Sequence, residues 1–208
     1  MRQARLTTRR GLTLLELMLA LTVTALVAAA ISGMMAAVTT GVNSRRDSRA
    51  VMVRASAAES RVSAYVAPSR CVLRVNPVSL VLWMSDDRES ETVHATEVRW
   101  LLFSPESGSL DVCYVKFPDS WTQAAKDLQD QVHPRDSDWI LVLSTYRSNG
   151  WTVEYPIVDG LDNARFSADS DIPLDARHVS IDLKFHTETG SMDTTIAATI
   201  NRHLVPVS

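Results

Sequence analysis

The alternation of apolar and polar positions divides the chain into three stretches. From Leu12 to Val38 a single charge, Glu16, interrupts an apolar run. As a helix rising 1.5 Å per residue this run reaches about 40 Å, longer than a hydrocarbon core of about 30 Å. Beyond it, Val51, Ala55, Ala58, Val62 and Tyr65 recur every three or four residues, while Arg45, Arg49, Arg54 and Arg61 lie mainly off that stripe. Ala67-Pro68 ends the pattern, because the residue before proline disfavours helical backbone. One helix from about Leu12 to about Val66 is predicted.

After Pro68 the period shortens to two. Cys71–Val75, Val78–Met84, Thr92–Phe103 and Leu110–Lys116 read as antiparallel strands separated by Asn-Pro, Asp-Asp and Pro-Glu-Ser-Gly turn signals. Trp121, Ala124, Ala125, Leu128 and Val132 then keep helical spacing until His133-Pro134. Trp139–Tyr146 and Trp151–Val158 flank Ser148-Asn149-Gly150, which reads as a β-hairpin, and Val179–His186 and Met192–Asn201 read as the last two strands. No long helix interrupts the strands. The fold class is therefore α+β, with an antiparallel sheet leaning on the end of the N-terminal helix. Residues 1–11 form a basic leader, 12–38 the membrane half of the helix, 39–66 its amphipathic half and 67–208 a β-rich head.

Charge sharpens this division. Arg2, Arg5, Arg9 and Arg10 precede Gly11 with no acid among them, which leaves −7 on the rest of a chain whose net charge is −3. A pI near 5.9 gives no broad basic face for nucleic acid, so no nucleic-acid partner is expected. The basic run Arg45, Arg46, Arg49 and Arg54 reads as a solvated face, with anionic headgroups as the minor alternative.

Two cysteines, Cys71 and Cys113, exclude a four-thiolate zinc site. In an oxidising compartment they could close a 43-residue loop; equally they could be two separate buried thiols. The five histidines lack metal-site spacing, and the acids Asp159, Asp169, Asp171 and Asp175 lack the EF-hand pattern. No metal or cofactor is expected. The chain also lacks G-x-S-x-G, a P-loop, G-x-G-x-x-G and H-E-x-x-H, so nothing points to a catalytic residue or an enzyme.

Three readings compete for the apolar segment. A secretory signal peptide could be cut at the Ala28-x-Ala30 site, but a carboxylate inside such a segment costs about 2.5–3.5 kcal/mol at a bilayer centre. An uncleaved signal anchor tolerates Glu16 near the membrane surface and leaves the residues around it unexplained. The third reading takes the basic leader, Gly11, Leu12, Thr13, Leu14, Leu15 and Glu16 as one unit running into the helix. That unit resembles the class III signal of type IV pilins and type II secretion pseudopilins. It departs from the family's usual pattern at Leu12, where phenylalanine is common.

The resemblance implies cleavage by a prepilin peptidase between Gly11 and Leu12, with N-methylation of Leu12. It also implies that Glu16, the fifth mature residue, attracts the N-terminal amine of a neighbouring subunit during filament assembly. A carboxylate in lipid needs such a positive partner. The implied partners are the peptidase, other major and minor pilins or pseudopilins, and inner-membrane lipid. The chain would cross the bacterial inner membrane once with its head in the periplasm or extracytoplasmic space, and would join a filament after assembly.

Within that superfamily, the order of head elements around Val98–Leu102, Leu110–Tyr114 and Val158–Phe166 resembles the J-type minor pseudopilin and the W-type minor pilin. Glu16 disfavours the K-type. The rival class is a membrane-anchored binding or adhesion module that forms no filament.

Overall fold

A computed structural model describes residues 13–85, 88, 92–188 and 190–207. The chain divides into two compact units, Met1–Arg46 and Asp47–Ser208, and helix α1, Leu14–Val66, begins in the first and ends in the second. In the first unit every residue from Thr13 to Val42 is exposed, including the leucines, methionines and valines of the apolar run. A helix that is apolar all round and covered by nothing is built for a medium other than water.

The second unit holds the head, and α1 enters its core through Val51, Ala58, Val62 and Val66. Ala55 and Tyr65 are partly buried beside them, so the predicted stripe is the docking face. The strands that follow are β1 Cys71–Asn76, β2 Ser79–Trp83, β3 Val93–His94, β4 Val98–Ser104 and β5 Ser109–Val115. Helix α2 Gln123–Gln129, strand β6 Val132–His133 and helix α3 Trp139–Ser148 come next. Strands β7 Thr152–Val158, β8 Leu161–Ala168, β9 His178–Thr187 and β10 Gly190–Thr199 complete the order.

These strands form two antiparallel sheets and a small ribbon. The first sheet runs β1-β2-β4-β5-β7, the second β10-β9-β8, and β3 pairs with β6. Period-two alternation explains why β2 is buried at all five positions: Leu80 and Leu82 face the core shared with α1 and the second sheet, whereas Val81 and Trp83 face a separate aromatic core against α3. Both faces of the first sheet are covered. Gly108 turns β4 into β5 at φ +61°, and a side chain there would lie 2.8 Å from the Leu161 carbonyl oxygen.

Two expectations need correcting. Trp139–Tyr146 is a helix, not the first arm of a hairpin. Its β-branched and aromatic residues suggest a strand, but Asp138 accepts the Ile140 N–H at 3.2 Å as an N-cap, and the buried residues Trp139, Leu143 and Tyr146 keep helical spacing. Asn149 is then the C-cap, and Gly150 at φ +72° ends the helix instead of turning a hairpin.

Thr92–Phe103 is likewise not one strand, because the 3-10 turn Ala95–Glu97 breaks it. There the buried Glu97 accepts the Trp83 indole N–H and the backbone N–H of His94, both at 3.2 Å. β8 went unpredicted: its sequence Leu-Asp-Asn-Ala-Arg-Phe-Ser-Ala is polar between its buried Leu161, Ala164 and Phe166, and a register shift between Leu161 and Asn163 disturbs the alternation.

Of the two states left open for the cysteines, the structure holds separate thiols. Cys71 and Cys113 are both buried and both free. Cys71 stands opposite Trp83 on β2, Trp83 opposite Val98 on β4, and Cys113 opposite Trp100 on that same strand. Three inter-strand steps, or about 14 Å, separate them across the sheet, whereas a disulfide needs Cα atoms within about 7 Å. The fold keeps two separate thiols, and burial pushes that of Cys71 up to about 12.

Candidate functional site

The start of α1 is built by Thr13 and Glu16. Thr13 donates its backbone N–H and its hydroxyl to Glu16 Oε2 at 2.9 and 3.1 Å, and the Glu16 N–H points back to Thr13 Oγ1 at 3.3 Å. This reciprocal exchange is a capping box, which satisfies donors that the first helical turn leaves without partners. The signal for this cap is the Thr-x-x-Glu spacing of Thr13 and Glu16, within the same unit as the motif. Gly11 and Leu12, the expected cleavage site, lie outside the described residues.

Glu16 is exposed on the apolar helix, and the next charged residue in the chain is Arg45. The helix is long and apolar enough to cross a membrane, with none of its most apolar stretch buried within the protein. Glu16 is thus a carboxylate at one end of a surface suited to lipid. Its two donors come from one neighbour, which leaves room on its oxygens for a further cation. A side chain at Gly33, in the middle of the apolar stretch, would meet nothing within 4 Å.

At the other end of α1, polar side chains tie the helix to the head. Arg61 donates to the Ile157 carbonyl oxygen at 2.6 Å, and the hydroxyls of Tyr65 and Tyr155 share a hydrogen bond. Burial, then the adjoining Tyr155, pushes Tyr65 up to about 12. Arg99 lies 4.8 Å above the Tyr114 ring, a cation–π contact on the same side of the sheet. Together with the apolar stripe, the Arg61 and Tyr65 contacts fasten the end of α1 to the β-sheet.

The remaining residues weighed for chemistry hold structure. Asp169 accepts the N–H groups of Arg177 and His178 at 3.0 and 3.1 Å, closing the loop between β8 and β9, and those bonds lower its carboxyl. Among the described residues no group of three His, Cys, Asp or Glu side chains could hold a metal ion. His94 and His133 stand in the β3–β6 ribbon, and burial lowers His133 from its usual value.

A family model for the prokaryotic N-terminal methylation motif matches residues 6–39. No curated protein and no solved structure matches the chain. The matched segment takes in the second half of the basic leader with Arg9 and Arg10, the Gly11-to-Glu16 unit and the apolar run. The motif lies on a long N-terminal helix that is apolar enough to cross a membrane and is followed by antiparallel sheets. The matched segment is a prepilin-type N-terminus. Such a motif implies processing by a prepilin peptidase and assembly with other pilins.

Proposed function

We propose that this chain is the precursor of a minor pilin or pseudopilin, cut between Gly11 and Leu12, methylated on Leu12, and assembled into a type II secretion pseudopilus or type IV pilus. The single observation that carries the reading is the register of the motif on an uncovered apolar helix: Glu16 is the fifth residue after Gly11 and begins a helix exposed through Val42. Cleavage creates an ammonium group at Leu12. In a filament, helices pack side by side in low dielectric, where a carboxylate and the ammonium of the next subunit stabilise each other. The head then crosses to the extracytoplasmic side, and residues 47–66 couple it to the anchor.

The size of the head and the order of its elements favour the J-type minor pseudopilin or W-type minor pilin over the major subunit. A membrane-anchored adhesion module is the competing class. Co-purification of the processed chain with other pilin-like subunits, compared between wild type and Glu16→Gln, separates them: a filament subunit loses its partners with the charge, whereas an adhesion module has no such partners to lose.

A further inference from the structure

Two sheets have four edges, and three of those in the head are blunted. β1 packs against the 3-10 turn Pro173–Asp175. β7 carries Pro156, which has no N–H to offer, and its Ile157 carbonyl is occupied by Arg61. β8 gives the N–H groups of Leu161 and Phe166 to the carbonyls of Gly108 and Pro77. β10 is different. It is ten residues long, pairs with β9 without a register shift, contains no proline, lysine or arginine, and carries one charge, Asp193. Among the described residues its backbone pairs with β9 alone. An edge left long, regular and nearly uncharged is a template for another strand.

We propose that β10 is a pairing edge and that its occupant is β10 of a second copy of this chain. The strand is self-complementary. Ile196 and Ala198 are buried, and Met192 packs partly buried on the same core, while Ser191, Asp193, Thr195, Ala197 and Thr199 are exposed on the opposite face. Two copies running antiparallel about Thr195 place Met192 opposite Ala198 and Thr194 opposite Ile196 on the core face. Asp193 then meets Ala197, Thr195 meets itself, and no two like charges oppose each other. A slip of one residue would set apolar faces against polar ones, so the pattern restricts the register. Centring on Thr195 also keeps Gly190, the weakest strand former here, out of the new ladder.

A single added strand pair is marginal between free molecules. Two copies anchored in one membrane meet at a high effective concentration, which offsets the entropy of association. Such a two-fold pair closes on itself and cannot propagate, so it belongs to the anchored subunit before any filament and does not depend on the filament reading.

The test uses the full chain in native membranes. Thr195→Cys sits at the proposed two-fold, and mild oxidation should crosslink it to itself at least tenfold more than Asn163→Cys, an exposed position on β8. Cys71 and Cys113, being buried, do not compete. Thr195→Lys replaces an exposed hydroxyl that donates to Asp182 at 2.6 Å, leaves the core intact and sets two long side chains opposite each other at the two-fold. It should lower the dimer fraction of the detergent-extracted chain, read by native mass spectrometry, at least tenfold. Crosslinking no greater than at Asn163, crosslinking to a different protein, or an unchanged dimer fraction in Thr195→Lys would each overturn the proposal.

Discussion

Thr13 and Glu16 hold each other at the first turn of α1 through three hydrogen bonds between 2.9 and 3.3 Å. Glu16 therefore has two separable properties, a shape that caps the helix and a charge that can meet an ammonium. Glutamine keeps the first and loses the second, because it serves a capping box as glutamate does. Glu16→Gln and Glu16→Val should both insert and both be cut after Gly11, since the leader is untouched and an uncharged side chain enters lipid more readily. Both should fail to co-purify with other subunits. Normal incorporation of Glu16→Gln would show that the cap, not the charge, is what assembly needs.

Thr13→Val tests the cap from its other side. It removes the hydroxyl that both accepts from and donates to Glu16, while the carboxylate stays available to a neighbour. The expected result is a frayed first turn, seen as faster amide exchange over residues 14–17, with subunit incorporation retained. Lost incorporation with an unfrayed helix would contradict the division of roles between the two residues.

The cysteines give a direct check on strand order. Cys71 and Cys113 should resist a thiol reagent in the folded head, because both are buried, and should both react in denaturant without any reductant. Failure of either to label until reductant is added would mean a bridge, and would require a sheet order in which β1 and β5 are neighbours.

Trp100 supports α3 from the sheet below it. Its indole N–H donates to the Trp139 carbonyl oxygen at 2.9 Å in a fully buried setting. Trp100→Phe retains an aromatic ring but removes that buried hydrogen bond, at a cost of about 0.5–1.5 kcal/mol. For a head of this size each kcal/mol lowers Tm by about 2–4 °C, so thermal unfolding should shift down by a few degrees. An unchanged Tm would argue against α3 packing on this face.

Acid should weaken the head through His133. Burial holds its folded pKa below the ordinary 6.5, so above that pH the imidazole is neutral whether the chain is folded or not. As pH falls below about 6.5 the unfolded chain takes up a proton that the folded head refuses, and stability declines until the folded pKa is passed. Tm measured from pH 7.5 to 5.5 should fall, and His133→Phe should flatten that slope. The same slope in both proteins would assign the effect elsewhere.

Residues whose pattern is strong and local were legible without a structure. The apolar run, the stripe from Val51 to Tyr65 and the strands β1, β2, β5, β9 and β10 follow from unbroken apolarity, helical spacing and β-rich runs bounded by turn signals. The reading failed where tertiary packing overrode propensity. Trp-Ile-Leu-Val-Leu suggests a strand until Asp138 is seen as a cap, and Asn149-Gly150 serves a helix end as readily as a hairpin. The separation of Cys71 from Cys113 depends on which strands are neighbours, and no local pattern encodes that order. At the N-terminus the motif was visible residue by residue, and what went unseen was the partnership of Thr13 with Glu16.

On the proposed function the chain is made as a precursor and matured at Gly11. Intact-mass analysis of the protein extracted from membranes is the decisive measurement. The expected result is a chain beginning at Leu12 and carrying one added methyl group, with Gly11→Leu left at precursor mass. A mature N-terminus near Ile31, or an uncut chain in cells whose prepilin peptidase is active, would contradict it.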